Sequence, residues 1–201
     1  MPPTRLIQQL NDKSSRDESH RLLLQDVYRR IPHNSQDPRS QNGAVVFYPE
    51  FARGQGWVAV ADGYNRVPDE YAYGVQDAAP TTENKGFYLE HAERNAIYKA
   101  TSVVSPQAMR ERCMLVCPWF ACADCARTIA AIGPRIVVGH RQLFLHYEVN
   151  APGRWTEQIE RGMHILEAAG VQLWIYDGSV FDDSPYKDPL EIMSAGAVFR
   201  P

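Results

Sequence analysis

Apolar residues recur along this chain at two spacings, one typical of helices and one typical of strands. From Arg21 to Ile31 they fall three and four positions apart, which predicts an amphipathic helix that ends at Pro32. Short apolar runs with few charges predict buried strands. The predicted strands are 43–48, 56–61, 113–118, 135–139 and 171–176. The first two lie close enough in sequence to pair as a hairpin.

Three further stretches show helical spacing. The predicted helices begin near Glu90 or His91, run from Cys122 to Ile132, and run from Trp155 to Ala169. Gly133-Pro134 and Gly170 are suited to ending the last two. Because helices alternate with strands after the hairpin, the pattern predicts an α/β layered domain with a mixed sheet of five strands.

The two ends of the chain carry weaker patterns. Residues 1–20 are polar and mixed, which predicts an N-terminal arm or a short helix, and residues 178–201 are predicted to be an irregular C-terminal tail. The 201 residues are enough for one domain with its own core, which we expect over residues 21–177.

Charge and cysteine content narrow the class of protein. The formal net charge of −3 argues against broad nucleic-acid binding, which needs a basic surface, but a small anionic substrate needs only a few local cations. The four cysteines all lie between 113 and 125, which favours metal binding over a disulfide scaffold. The sequence has no signal-peptide pattern and no apolar run of about 20 residues, so we expect a cytoplasmic protein with no membrane partner.

The strongest chemical signal is His91-Ala92-Glu93, followed 31 residues after the histidine by Cys122-Ala123-Asp124-Cys125. Cys122 and Cys125, three residues apart, project from one face of one helical turn. With His91 they supply three zinc ligands, and a zinc ion with three protein ligands keeps a fourth position for water, as catalytic sites do. This order of residues is the signature of zinc-dependent base deaminases.

Glu93 has the position of a proton carrier rather than a ligand. Zinc lowers the pKa of a bound water to about 7, and the resulting hydroxide can attack a ring carbon that carries an amine, such as C4 of cytosine. We expect Glu93 to take the water proton, deliver it to the ring nitrogen and later protonate the leaving ammonia. Such transfer is worth about 10²–10⁴-fold in rate.

Other interpretations of the same residues exist. A C-x-x-C pair on its own fits a redox pair or two core cysteines, and Cys117 could complete a closed structural zinc site. We expect Cys113 and Cys117 to be small core residues, and His140 and His146 to be loop or strand-end residues. A zinc-stabilised binding protein that has lost catalysis is a further alternative, but it would have no use for Glu93.

Beyond these motifs, the chain resembles the deoxycytidylate (dCMP) deaminase branch of the cytidine deaminase superfamily. The resemblance is carried by residues 35–46, the turn Gly63-Tyr64-Asn65, the block 91–97 and the block 125–129. It covers residues 20–140 well and 141–177 more loosely.

The resemblance implies a three-layer helix–sheet–helix cytidine deaminase-like fold and the hydrolysis of dCMP to dUMP and ammonia by a homo-oligomer. It implies that His91, Cys122 and Cys125 hold zinc and that Glu93 carries protons. Asn65 would bind the sugar or base, although Gly-Tyr-Asn is also ordinary turn chemistry. The Ala92 backbone would contact the pyrimidine. The alternative substrates are cytidine, a modified cytosine nucleotide, a pterin-like or guanine-like ring, and tRNA adenosine.

The chain departs from the family pattern at two positions. Ala121 replaces the usual proline before the first cysteine, which leaves the loop less constrained, and Arg66 replaces a common glycine. Arg66 could reach a phosphate or disrupt a regulatory nucleotide site found in some relatives. Between Arg66 and His91 the sequence has no Cys or His, so we expect one zinc per chain.

A substrate phosphate would need cations, and several lie near predicted loops or helix ends. The candidates are Arg53, Arg66, Lys85, Arg94 and Arg141. Taken singly, a residue of this kind is more often a solvated surface charge. Phe144, His146 and Tyr147 could form a wall of the base pocket or pack in the core.

Overall fold

Helices alternate with strands through most of the molecule. The computed structural model describes residues 5–50, 56–68, 81–181 and 190–201. Its helices are α1 Arg5–Lys13, α2 Glu18–Asn34, α3 Lys85–Tyr88, α4 Ala92–Ala100, α5 Pro106–Arg112, α6 Ala123–Ile132, α7 Arg141–Asn150 and α8 Thr156–Ala168. Its strands are β1 Ser14–Ser15, β2 Gly43–Glu50, β3 Gly56–Tyr64, β4 Met114–Val116, β5 Ile136–His140, β6 Gln172–Tyr176, β7 Ile192–Ser194 and β8 Ala197–Phe199.

The central sheet is mixed and has the strand order β1-β6-β5-β4-β2-β3. Strand β2 pairs antiparallel with both β3 and β4, whereas β4, β5 and β6 run parallel. The predicted hairpin and mixed sheet are therefore confirmed. The prediction of five strands is wrong by one, because Ser14–Ser15 adds a parallel edge strand beside Ile175–Tyr176. Two serines give no apolar run, so the sequence carries no signal for this strand.

The sheet separates two layers of helices, as the family resemblance implies. Helix α2 packs on one face, where Tyr28 and Ile31 contact the layer that contains Val45. Helices α4, α6 and α8 pack on the other face, where Ile97 lies in the same buried cluster as Val46. Neighbouring residues of β2 thus point to opposite sides, which is the period of a strand buried on both faces.

The ends of the chain are more ordered than the sequence pattern predicts. Leu10 of α1 is fully buried. The predicted irregular tail is wrong for residues 192–199, where β7 and β8 form an antiparallel hairpin. Its turn uses Ala195 and Gly196 with φ of 56° and 79°. Three-residue strands are too short to show an alternating pattern, which explains the error.

Two helix predictions need correction. Helix α2 continues through Pro32 to Asn34, because a proline in the last turn removes few helical hydrogen bonds. His146, expected in a loop or at a strand end, lies in helix α7, which carries Phe144 and Tyr147 into the interior. None of the helices in the described ranges is long and apolar enough to span a membrane.

Candidate active site

The three zinc-ligand candidates converge at two helix starts on the same face of the sheet. His91 is the N-cap residue of α4, Cys122 is the N-cap residue of α6, and Cys125 lies in the first turn of α6. His91 Nδ1 lies 3.5 Å from Cys122 Sγ and 3.5 Å from Cys125 Sγ. The potential ligand atoms of these three residues all lie within 4.8 Å of one another.

These separations fit a shared zinc ion. A tetrahedral zinc with Zn–N of about 2.1 Å and Zn–S of about 2.3 Å holds its nitrogen and sulfur ligands about 3.6 Å apart. The measured distances of 3.5 Å agree with that requirement. The three donors therefore fit one Zn²⁺ per chain, as the sequence predicts, and three ligands leave a coordination position for a water or a substrate atom.

Within the cysteine pair the electrostatics favour a thiolate at Cys122, whereas the hydrogen bond with Cys122 raises the pKa of Cys125. Hydrogen bonds from Cys125 and His91 to Cys122 outweigh burial and lower the pKa of Cys122 to about 4. The hydrogen bond with Cys122 also raises the pKa of His91. Because both cysteines lie at the start of α6, the helix dipole adds to the same preference for negative charge.

Glu93 lies beside the ligands, and its side chain is almost completely buried, with 2% of its surface exposed. Burial raises the pKa of Glu93 to about 6, although the nearby His91 acts in the opposite direction. A carboxyl group with a pKa near neutrality can both accept and donate a proton. The geometry therefore fits a proton carrier next to the metal ligands.

Cys117 does not join the ligand cluster, so the alternative of a closed structural site is not supported. Within the described residues, the metal-ligand cluster contains only His91, Cys122 and Cys125. Cys117 instead lies 3.4 Å from Asn42 Nδ2 and is buried, as expected for a core cysteine.

The loop before the first cysteine is held by packing. Ala121, which replaces the usual proline, is buried. A Cβ atom placed on Gly162 of α8 would lie 2.2 Å from the Ala121 carbonyl oxygen, so the helix backbone touches the loop directly. This close contact constrains the loop in the absence of proline.

Asp37 organises the loop that precedes β2. Its carboxylate accepts hydrogen bonds from the backbone N–H groups of Arg39 and Ser40, both at 2.9 Å. The same carboxylate forms an ion pair with Lys85 at 2.6 Å. This Asx-type turn explains why an Asp-Pro sequence leads into the strand.

Asn65 connects the end of β3 to the start of α4. Its Oδ1 accepts a hydrogen bond from the Ala92 N–H at 3.0 Å, and its Nδ2 donates to the Ser40 carbonyl at 3.0 Å. The Asn65 amide thus fixes the helix that presents His91 and Glu93. Arg66, the next residue, forms an isolated backbone bridge with Glu90.

A cavity of about 430 Å³ joins these residues. We call the part of its lining formed by His91, Glu93 and Cys122 the zinc end, and the part formed by Arg39 and Arg154 the arginine end. The volume is in the range of small-molecule sites. One chamber therefore contains the proposed metal, the proton carrier and two positive charges.

Aromatic side chains line the same cavity. Trp119 and Tyr147 lie 4.6 Å apart between ring centroids, and Trp155 lies 6.3 Å from the His91 ring. Of the three proposed wall residues, Tyr147 lines the cavity, whereas Phe144 is buried against Trp119 and Phe120. The third proposed wall residue contacts the C-terminal hairpin instead.

That third residue, His146, packs on Phe199 of the C-terminal hairpin at 5.1 Å between ring centroids. His140 is buried at the end of β5, where a strand-end position was expected. Neither histidine belongs to the metal cluster of the described residues.

The proposed phosphate cations lie in different places. Lys85 and Arg94 line the cavity but form ion pairs with Asp37 and Glu90. Arg66 and Arg141 are absent from the cavity lining, and Arg53 lies outside the described residues.

Arg39 and Arg154, which the sequence analysis did not select, line the cavity without an ion pair to any described carboxylate. The buried Nε of Arg39 has no hydrogen-bond partner among the described residues. Both arginines act electrostatically on Tyr147. Arg39 lies inside the 35–46 block, but no sequence signal marks Arg154, because tertiary folding alone brings its loop to the cavity.

Comparison with known families agrees with this site. Residues 34–140 match the family model described as the cytidine and deoxycytidylate deaminase zinc-binding region. The matched segment is more than half of the chain and contains all three ligand candidates and Glu93. The chain belongs to this family and is a zinc-dependent hydrolytic deaminase.

Solved structures that align with this chain include the dCMP deaminase from the cyanophage S-TIM5. The apo form is 20% identical, with a TM-score of 0.45 over 78% of this chain and 98% of that chain. The complex with dCMP and dUMP is 20% identical, with a TM-score of 0.43 over 87% of this chain and 98% of that chain. No curated protein matches the chain.

Proposed function

We propose that this protein hydrolyses dCMP to dUMP and ammonia. The observation that carries the proposal is one cavity whose lining contains the metal-ligand candidates His91 and Cys122, the buried carboxyl group of Glu93 and two arginines. A nucleoside monophosphate offers a matching pair of groups, a reactive base for the metal site and a dianionic phosphate for the arginines. A free base or nucleoside would leave the arginine end without an anion.

Glu93 carries protons in this proposal. When bound, zinc supplies hydroxide at neutral pH by lowering the pKa of a coordinated water to about 7. Glu93 would take the first proton of the attacking water and pass it to N3 of cytosine. It would then take the second proton, from the hydroxyl group formed at C4, and deliver it to the departing amine, which leaves as ammonia. Its burial keeps bulk water away from these transfers, and its pKa of about 6 suits both directions.

Asn65 and Ala92 contribute to substrate binding in this proposal. Asn65 lines the cavity, and the second lone pair of its Oδ1 can accept from a sugar hydroxyl while the first holds the Ala92 N–H. Because the Ala92 N–H already donates to Asn65, a contact between the Ala92 backbone and the pyrimidine requires an exchange of this hydrogen bond on binding.

Arg39 and Arg154 bind the phosphate in this proposal, with Arg66 as the further candidate that the sequence suggests. Guanidinium groups match phosphate oxygens in charge and geometry. The support for Arg39 is its place in the cavity and its Nε without a described partner.

The test is ammonia release by zinc-loaded protein from dCMP, CMP, deoxycytidine, dCTP, 5-methyl-dCMP and guanine. We expect turnover concentrated on dCMP. Higher turnover of deoxycytidine than of dCMP would contradict the phosphate contact, and turnover of another base would replace the substrate. No turnover by zinc-loaded protein would support the alternative of a non-catalytic zinc-stabilised protein.

We also propose that the protein forms a homo-oligomer. Its location in the cytoplasm is a separate proposal that comes from the sequence. Strand β3 is an edge of the sheet, and its Trp57 and Val58 are exposed. Tyr98 and Val103, in and after the neighbouring helix α4, are exposed as well. Apolar side chains beside an unpaired strand favour association. Light scattering that gives the mass of one chain at all concentrations would contradict self-association.

A further inference from the structure

Asn42 is a buried amide on the wall of the active-site cavity. Its side chain is 5% exposed and lines the same cavity as His91 and Glu93. Its backbone is fixed on both sides, since its N–H donates to Ser35 Oγ at 3.3 Å and its carbonyl accepts from the Asn65 N–H at 3.2 Å. The position of the side chain is therefore set by the protein.

The hydrogen-bonding capacity of this amide is largely unused inside the protein. Its side-chain partner among the described residues is the Cys117 thiol, 3.4 Å from Nδ2 and 3.8 Å from Oδ1. Sulfur is a weak donor and a weak acceptor, whereas an amide offers two N–H groups and two lone pairs. Within the described residues the Asn42 side chain has no stronger partner, and buried polar groups of this kind are usually satisfied by a ligand or water.

The neighbours of Cys117 place this amide at the zinc end of the cavity. Cys117 belongs to the same buried cluster as Ala92 and Cys122. The Asn42 carbonyl accepts from the Asn65 N–H, and Asn65 Oδ1 in turn holds the Ala92 N–H. Asn42 is therefore connected to the segments that carry the metal ligands, where the base lies in the proposed reaction.

The polar groups of cytosine suggest a partner for Asn42. The base carries an amine at C4, the ring nitrogen N3 and a carbonyl oxygen at C2. Glu93 exchanges protons with the first two in the proposed reaction. The carbonyl O2 has two lone pairs, so it can accept from Asn42 Nδ2 even if the Ala92 N–H, which donates to Asn65 in this structure, also turns to the base.

We propose that Asn42 is a specificity-determining residue that donates a hydrogen bond from Nδ2 to O2 of the pyrimidine. The inference rests on the proposed function, because it takes a cytosine nucleotide as the substrate. It also explains selection against adenine, which has a C–H group between its two pyrimidine-ring nitrogens and no carbonyl oxygen there.

The experiment measures binding by titration calorimetry in zinc-loaded protein that carries Glu93→Gln, so that bound nucleotide is not consumed. The ligands are dCMP and its 2-thio analogue, whose sulfur is a poorer acceptor. We expect dCMP to bind about tenfold more tightly than the analogue, the effect of about one neutral hydrogen bond. Asn42→Ala should weaken dCMP binding about tenfold and remove the difference between the two ligands.

Asn150→Ala is the matched control, because Asn150 is exposed on α7 and its amide donates to the His146 carbonyl. It should bind both nucleotides as the parent does. Asn42→Ala that weakens both ligands equally would show a structural role and overturn the inference.

The comparison of ligands also tests the inference without a change at Asn42. A parent protein that binds dCMP and the 2-thio analogue equally overturns the role of Asn42 while the proposed function stands. A parent that binds no cytosine nucleotide, together with wild-type protein that deaminates none, overturns both.

Discussion

The two ends of the active-site cavity are built in different ways. The zinc end comes from two short segments, residues 91–93 and 122–125, each at the start of a helix. The arginine end comes from Arg39 in a loop, Arg154 before α8 and Ser194 in the C-terminal hairpin, which are far apart in sequence. The chemistry of the site is thus encoded locally, whereas the proposed recognition of phosphate depends on assembly of the whole domain.

The largest effect should come from the zinc end. Glu93→Gln keeps the shape of the side chain but removes the group that carries protons, so kcat should fall by about 10²–10⁴-fold. Metal analysis should still find one zinc per chain, because Glu93 lies outside the ligand cluster.

Glu157→Gln is the matched control for this change, since Glu157 is exposed and forms a surface ion pair with Arg161. Its activity should equal that of the wild type. Loss of both zinc and folded structure in Glu93→Gln would show that Glu93 supports the fold. Its role would then no longer differ from the structural role of the metal ligands.

The next effect should be a dependence of the free energy of unfolding on pH, caused by His140, which contacts Phe199 of the C-terminal hairpin. His140 is buried, its Nε2 donates to the Gly178 carbonyl at 2.8 Å, and its Nδ1 accepts from the Tyr28 hydroxyl at 2.7 Å. Burial lowers the pKa of His140 to about 4. The folded protein therefore keeps His140 neutral in a range where the unfolded chain, with a pKa of about 6.5, binds a proton.

The contribution of His140 to stability is fully present above pH 6.5 and is lost as the pH falls from 6.5 toward 4. The loss in the free energy of unfolding should reach about 3 kcal/mol at pH 4. Urea unfolding of the wild type and of His140→Gln at pH 7.5, 6 and 5 measures it, because glutamine can form similar hydrogen bonds but does not titrate. Equal pH profiles for the two proteins would contradict the prediction.

A smaller effect should test Arg39 and Arg66 among the phosphate candidates. Arg39→Ala should raise the KM for dCMP about 10- to 100-fold, the range for loss of hydrogen bonds to a charged group, and leave the KM for deoxycytidine unchanged. Arg66→Ala tests the phosphate contact that the sequence suggests. A similar rise in the KM for dCMP alone would place Arg66 in the phosphate site as well.

Arg161→Ala on the exposed surface of α8 serves as the control for both arginine variants and should change neither KM. If Arg39→Ala raised the KM for nucleotide and nucleoside equally, Arg39 would support the shape of the cavity and would not bind phosphate. The contrast between the two ends would then need another anion site.

The same contrast explains how much could be predicted from the sequence. The ligand cluster, the hairpin and the longer helices follow from local spacing, and the structure confirms them. The edge strand Ser14–Ser15, the C-terminal hairpin and the place of Arg154 depend on contacts between distant segments, for which spacing gives no signal. Lys85 and Arg94 show a related limit of prediction from sequence. The sequence shows that these residues are cations, but it does not show that each already forms an ion pair with a carboxylate.

The contact between Gly162 and the Ala121 carbonyl has a consequence for the evolution of such sequences. Because the contact is made by a backbone carbonyl, position 162 admits no side chain while the loop before Cys122 keeps its present path, whichever residue stands at position 121. Relatives with the same loop path should therefore carry glycine at the facing position of α8, although this residue touches no reacting atom.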